Sequence, residues 1–194
     1  MRILYIYCHP LPESFHAAIR AKAMEALTAA GHHVDLLDLY AENFDPVLSE
    51  EGRRHYHDVS RNQAGLEGYV ARLTSAEAVI LQFPTWCFGP PAMLKGFFDR
   101  MIMPGVAFDL GDPAQVKPML RNVKHIVGIV TYGRPRYMAL WMSDPPRKIV
   151  KRYLRWFTGG KARTDYYALY HLNVATQAQR VAFIDKVGRA LRRL

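Results

Sequence analysis

The residues with the most chemistry to offer lie in one stretch, Phe83-Pro84-Thr85-Trp86-Cys87-Phe88-Gly89-Pro90-Pro91. It joins an apolar run, Ala78 to Phe83, that reads as a buried strand, to a helix predicted from Pro91 to about Met103. In an open α/β sheet a loop at the carboxyl end of a strand is where ligands bind. Flat aromatic rings and accessible backbone amides suit a planar, hydrogen-bonding ligand such as a flavin. Two further segments carry compatible chemistry. In His9-Pro10-Leu11-Pro12-Glu13-Ser14-Phe15-His16, a hydroxyl precedes a helix whose first amides predict an anion site. Ser14 as a plain helix cap is the competing reading. The segment lacks the glycines of a P-loop or a dinucleotide fingerprint. Thr131-Tyr132-Gly133-Arg134-Pro135-Arg136-Tyr137 offers a glycine for close approach and arginines for phosphate contacts.

These three loops must be held together by the elements around them. Strand-like runs recur at Ile3–Cys8, Val34–Leu39, Ala78–Phe83, His125–Thr131 and Tyr166–Leu172. Between them fall helical patterns: Ser14 to about Ala30, where Gly31 ends the helix, then about Asn62 to Ser75, then Pro91 to Met103. Two amphipathic helices close the chain, Arg147–Phe157, with an apolar stripe of Ile149, Val150, Tyr153, Leu154 and Phe157, and Gln177–Leu194. Five strands alternating with helices predict an α/β fold: a flavodoxin-like, doubly wound, five-stranded parallel sheet of order 2-1-3-4-5 with helices on both faces. Residues 43–61 and 104–122 read as irregular excursions, and loops of that length tend to be functional.

Half of the 194 residues are hydrophobic and no repeat or low-complexity tract occurs, which predicts one domain over residues 1–194. No apolar stretch approaches the ~18 residues of a membrane span. Two cysteines, Cys8 and Cys87, make no disulfide framework, and a cytoplasmic protein is expected. The formal charge is +9. Between Arg134 and Arg163 nine Lys or Arg stand against the single acid Asp144. That imbalance predicts anionic partners or a solvated helix face. Without interleaved exposed aromatics, specific nucleic-acid binding is not expected.

The segment Gln82–Arg100, Gln82-Phe83-Pro84-Thr85-Trp86-Cys87-Phe88-Gly89-Pro90-Pro91-Ala92-Met93-Leu94-Lys95-Gly96-Phe97-Phe98-Asp99-Arg100, resembles the signature of the NAD(P)H dehydrogenase (quinone) family. His9-Pro10 with Ser14-Phe15, and Leu37-Asp38-Leu39-Tyr40 with Asn43-Phe44-Asp45-Pro46, resemble that family's other loops. The resemblance implies a non-covalent flavin, FAD or else FMN, reduced by NAD(P)H and reoxidised by a quinone or similar acceptor. It implies that His9, Ser14, Phe15 and His16 hold the flavin's phosphate end. Pro84, Thr85, Trp86, Cys87 and Phe88 would line the isoalloxazine, with Thr131 and Gly133 at its far edge. Tyr137 would stand as the catalytic tyrosine, and Arg134 would face substrate. The family's phosphate loop has Asn where this chain has His16, and its Thr-Thr-Gly-Gly run is here Thr131-Tyr132-Gly133-Arg134. No metal ligand is implied. Family members are dimers, and Phe108 falls where an aromatic would reach the partner's flavin. Ancillary subunits of potassium efflux systems resemble this family too, so a regulatory subunit of a redox-sensing or ion-efflux system is the alternative reading.

Overall fold

The computed structural model describes residues 1–112 and 115–194; Pro113, one of the markers of the predicted 104–122 loop, lies outside them. Strand β1 (Arg2–Tyr7) leads to α1 (Phe15–Ala29), β2 (His33–Asp38), α2 (Glu50–Arg54), α3 (Glu67–Ser75) and β3 (Ala78–Pro84). Then follow α4 (Ala92–Met101), a short antiparallel pair of β4 (Phe108–Asp109) and β5 (Lys117–Pro118), β6 (His125–Thr131) and α5 (Arg136–Trp141). The chain ends with α6 (Pro145–Lys148), a π turn (Ile149–Tyr153), α7 (Leu154–Phe157), β7 (Arg163–Leu169) and α8 (Gln177–Leu191).

The main sheet is parallel in the order β2-β1-β3-β6-β7, which is 2-1-3-4-5 counted over its own strands. Its strands alternate apolar residues to both faces, as a sheet covered on two sides requires. Ile3, Tyr5, Ile80, Val127 and Ile129 pack with Ile19 and Leu27 of α1 and Phe183 and Val187 of α8. Leu4, Ile6, Leu81, Phe83 and Val130 pack with Leu73 of α3, Phe97 of α4 and Phe157 of α7. Helix α1 starts where expected, with the Ser14 hydroxyl accepting from Ala17 N–H, and Gly31 follows it at φ 76°.

Several boundaries differ from the sequence reading. Pro91 caps α4 from outside rather than occupying its first turn. The fifth strand runs over Arg163–Leu169, earlier than Tyr166–Leu172, because His125 Nε2 and Arg163 Nε both reach Asp165 and give these polar residues a partner at the sheet edge. His171, expected in that strand, sits beyond it at φ 61°. The 145–157 helix is interrupted by the π turn, whose wider winding turns its apolar stripe. Tyr153 of that stripe is 47% exposed and the neighbouring Trp156 44%, so the stripe is not wholly packed on the sheet and exposed aromatics do lie among the cations.

Candidate active site

Strands β1, β3 and β6 are consecutive neighbours, so the loops that leave their carboxyl ends are neighbours too. β1 lies where the winding reverses, the place where open α/β sheets bind ligands. Backbone bonds stitch the strand ends together: Cys8 N–H donates to Gln82 O at 3.0 Å and Thr85 N–H to Thr131 O at 2.8 Å.

At the first loop, Ser14 is the N-cap of α1, so the amides of Phe15 and His16 open the helix with no intrahelical acceptor. The Tyr7 hydroxyl lies 3.5 Å from Ser14 Oγ. His9 Nδ1 accepts from Leu11 N–H at 3.1 Å, and partial burial holds its pKa below the ordinary value. The ring is then neutral, with its proton on Nε2 as a donor. One imidazole donor, two helix-end amides and a hydroxyl form a set suited to a phosphate. The phenyl of Phe15 turns to α8 and packs 6.4 Å from Phe183, so only its backbone is left for a ligand.

The second loop is a tight turn. Trp86 and Gly89 exchange both backbone bonds, at 3.0 and 2.9 Å, and the two residues between them, Cys87 and Phe88, have φ of 51° and 56°. Two positive φ values mark a type I′ turn, which normally takes Asn-Gly. Here the strained positions carry side chains, and Trp86 (43% exposed) and Cys87 stand open to solvent while Phe88 is half-buried. Trp86 also approaches His9, ring centres 6.4 Å apart, so the first two loops meet. Pro84 is buried as the last residue of β3, and Thr85 is half-buried beside it. Both cysteines are free thiols. Cys8 lies in the core, where burial pushes its pKa up to about 12.

At the third loop Thr131 is buried and Gly133 half-exposed. Tyr132 is buried, its hydroxyl donating to Asp144 Oδ1 at 2.5 Å, and its ring stacks on Tyr170. That buried carboxylate ties the end of the largely exposed 134–143 segment to the core. Arg134 is exposed, and Tyr137 is 70% exposed on α5, with no hydrogen bond to its hydroxyl among the described residues. Phe108 packs 5.9 Å from Phe157 of its own chain.

His16 differs most from its expected surroundings. Its imidazole is 2% exposed. Nε2 lies 2.8 Å from Thr131 Oγ1, Nδ1 lies 3.1 Å from Gln82 Nε2, and the ring stacks on His9 at 5.6 Å. The Tyr5 hydroxyl closes the chain on Gln82 Oε1. Sequence reading passed over Gln82 and Tyr5. The available signal was a lone amide in the apolar run Ala78-Val79-Ile80-Leu81-Gln82-Phe83, since a buried polar group requires partners. Among the described residues no group of three His, Cys, Asp or Glu side chains is placed to hold a metal ion.

The chain and its fold are similar to those of known proteins. The chain is 32% identical over 148 residues to NAD(P)H dehydrogenase (quinone) 1 of Rattus norvegicus, a match covering 68% of this chain and 54% of that one. The chain spans about half the length of several curated relatives it matches. Smu.1420 of Streptococcus mutans UA159 superposes with a TM-score of 0.86 at 30% identity, covering 100% of both chains. An NAD(P)H:quinone oxidoreductase of Methanothermobacter marburgensis shares the fold, with a TM-score of 0.81 at 22% identity over 99% of this chain and 96% of that one. A family model described as flavodoxin-like fold matches residues 1–180, and the chain belongs to that family.

Proposed function

We propose that the protein is a flavin-dependent oxidoreductase that passes hydride from NAD(P)H, through a non-covalently held flavin, to a quinone or similar two-electron acceptor. One observation carries this reading: a phosphate-ready helix end and a strained aromatic turn stand on adjacent parallel strands, with His9 and Trp86 in contact between them. His9 Nε2, the Ser14 hydroxyl and the amides of Phe15 and His16 would hold the phosphate end. Thr85 to Phe88 would present backbone amides and ring faces to the isoalloxazine, and Thr131 and Gly133 would meet its other edge. The flavin supplies the two-electron chemistry, while the protein orients it and shields it from water.

FAD is proposed over FMN, and the space offered to its adenosine is a cleft of about 220 Å³ between His9–Pro12 of the phosphate loop and Arg20, Asp38 and Tyr40 beside it. Arg134 and Tyr137 face the solvent side of the third loop, where an acceptor would arrive. A homodimer is supported by Leu140, Trp141, Met142, Tyr153 and Trp156, all exposed, the last two touching Phe157 and, through it, Phe108. Two free thiols accord with a reducing compartment such as the cytoplasm. One domain over residues 1–194 accords with two cores that flank the one five-stranded sheet.

The test is direct. Purified protein incubated with FAD or FMN is expected to hold a flavin spectrum after desalting and to oxidise NAD(P)H with menadione. Protein that stays colourless overturns the reading. Flavin binding without turnover would favour a regulatory subunit instead.

A further inference from the structure

Gln82 stands inside β3 with its side chain at 0% exposure, between three groups that fix how it must point. Its nitrogen lies 2.6 Å from the His16 carbonyl oxygen, which can only accept, so the amide is oriented with Nε2 toward His16. The Tyr5 hydroxyl then donates to Oε1. The second hydrogen on Nε2 points at His16 Nδ1, 3.1 Å away, which must therefore be bare. A neutral imidazole with a bare Nδ1 carries its proton on Nε2. Desolvation and the neighbouring His9 keep the ring neutral, with a pKa lowered to about 3. His16 Nε2 therefore donates to Thr131 Oγ1 across 2.8 Å. Thr131 must turn its own hydrogen elsewhere, and among the described residues no protein atom accepts it.

We infer that His16 is a positioning residue: through the Tyr5–Gln82–His16 chain it fixes the Thr131 hydroxyl as a hydrogen-bond donor to the bound flavin. The inference rests on the flavin reading above. A threonine hydroxyl left alone donates or accepts as its ligand requires. Thr131, already accepting from His16, has its donor committed in one direction before the ligand arrives. A donor fixed at a ring edge favours the ring when negative charge accumulates there, so it binds the reduced form more tightly than the oxidised one. Burial of every member makes the chain hard to reverse, because turning one amide would strand a donor or an acceptor away from water.

Two measurements test this. Nitrogen-15 NMR of histidine-labelled full-length protein without added flavin should show His16 neutral, with a protonated Nε2 and a bare Nδ1. The opposite tautomer overturns the inference. In the flavin-loaded protein, Thr131→Ala and His16→Leu should each weaken binding about tenfold, as expected for one lost buried hydrogen bond, and lower the flavin midpoint potential. Thr131→Ser and His16→Gln should restore most of both, since each keeps a donor in place. The double variant His16→Leu/Thr131→Ala should be no worse than Thr131→Ala, because the two act along one path. Additive losses, or a potential indifferent to Thr131→Ala, overturn the role and leave the flavin reading standing. Protein that binds no flavin overturns both.

Discussion

Cys87 and Phe88 are consecutive residues in the left-handed region, at φ 51° and 56°, at the tip of the turn closed by Trp86 and Gly89. A side chain in that region costs about 1 kcal/mol or more per residue. The fold holds it because β3, buried along its whole length, and α4 fix both ends of the loop. Strain of this kind collects where a ligand needs a set geometry. The double variant Cys87→Asn/Phe88→Gly supplies the residues a type I′ turn prefers. It should raise the melting temperature by a few degrees and weaken flavin binding. Thermal melts and fluorescence titration check the two effects separately. A stabilised variant with undiminished affinity would show that the side chains at the tip do not touch the flavin.

Helix α4 crosses the segment after β2 so closely that only glycine fits at the crossing. A Cβ on Gly96 would lie 2.2 Å from Pro46 O and 2.6 Å from Pro46 Cα, both backbone atoms that cannot yield. Gly96→Ala should destabilise by about 1–3 kcal/mol, the usual cost of overpacking. Gly68, in α3, has nothing within 4 Å of its would-be Cβ. Gly68→Ala should stabilise by up to about 1 kcal/mol, through helix propensity. Urea midpoints of the pair check the contrast. A neutral Gly96→Ala would mean that the 43–49 segment gives way.

Much of this was legible in the residues. Three buried apolar runs, each ending in turn chemistry, were enough to place the loops after β1, β3 and β6 on one edge, because a parallel sheet leaves little other choice. What stayed hidden depends on partners distant in sequence. His16 reads as one more polar residue of a phosphate loop until Gln82, 66 residues on, and Thr131, 115 residues on, give it a buried seat. The polar start of β7 lies outside the strand expected from the sequence, Tyr166–Leu172, because its partner, His125 against Asp165, is 40 residues away. Tyr153 read as core because a regular helix places it beside Val150, and no residue type announces a π turn. The short helix Glu50–Arg54 inside the predicted excursion did have a signal, Ser49 ahead of two glutamates.

The two thiols should react very differently. Cys87 is exposed on the turn, whereas Cys8 is buried with its pKa pushed up to about 12, leaving almost no thiolate at pH 8. Iodoacetamide on the folded protein should modify one site, Cys87, and modify Cys8 only after denaturation. Peptide mapping by mass spectrometry identifies the site. Bound flavin should slow the Cys87 reaction if the turn lines the isoalloxazine, and an unchanged rate would place that thiol outside the site.

Acid should loosen the fold through His16. Its pKa is lowered from 6.5 to about 3 by burial first and by the adjacent His9 second. Between those two values the unfolded chain takes up a proton that the folded chain refuses, so unfolding is favoured as pH falls. The stability at stake is fully present above about pH 6.5 and is lost progressively toward pH 3. The slope for one proton is about 1.4 kcal/mol per pH unit. His9, also lowered by partial burial, acts in the same sense and stays in place as an internal reference. His16→Gln removes the larger contribution, so its urea midpoint should fall less steeply than that of the parent chain between pH 6.5 and 4.5. Parallel slopes would mean that the imidazole takes up its proton as readily in the folded chain as in the unfolded one. The hydrogen bond it donates to Thr131 would then no longer depend on a neutral ring.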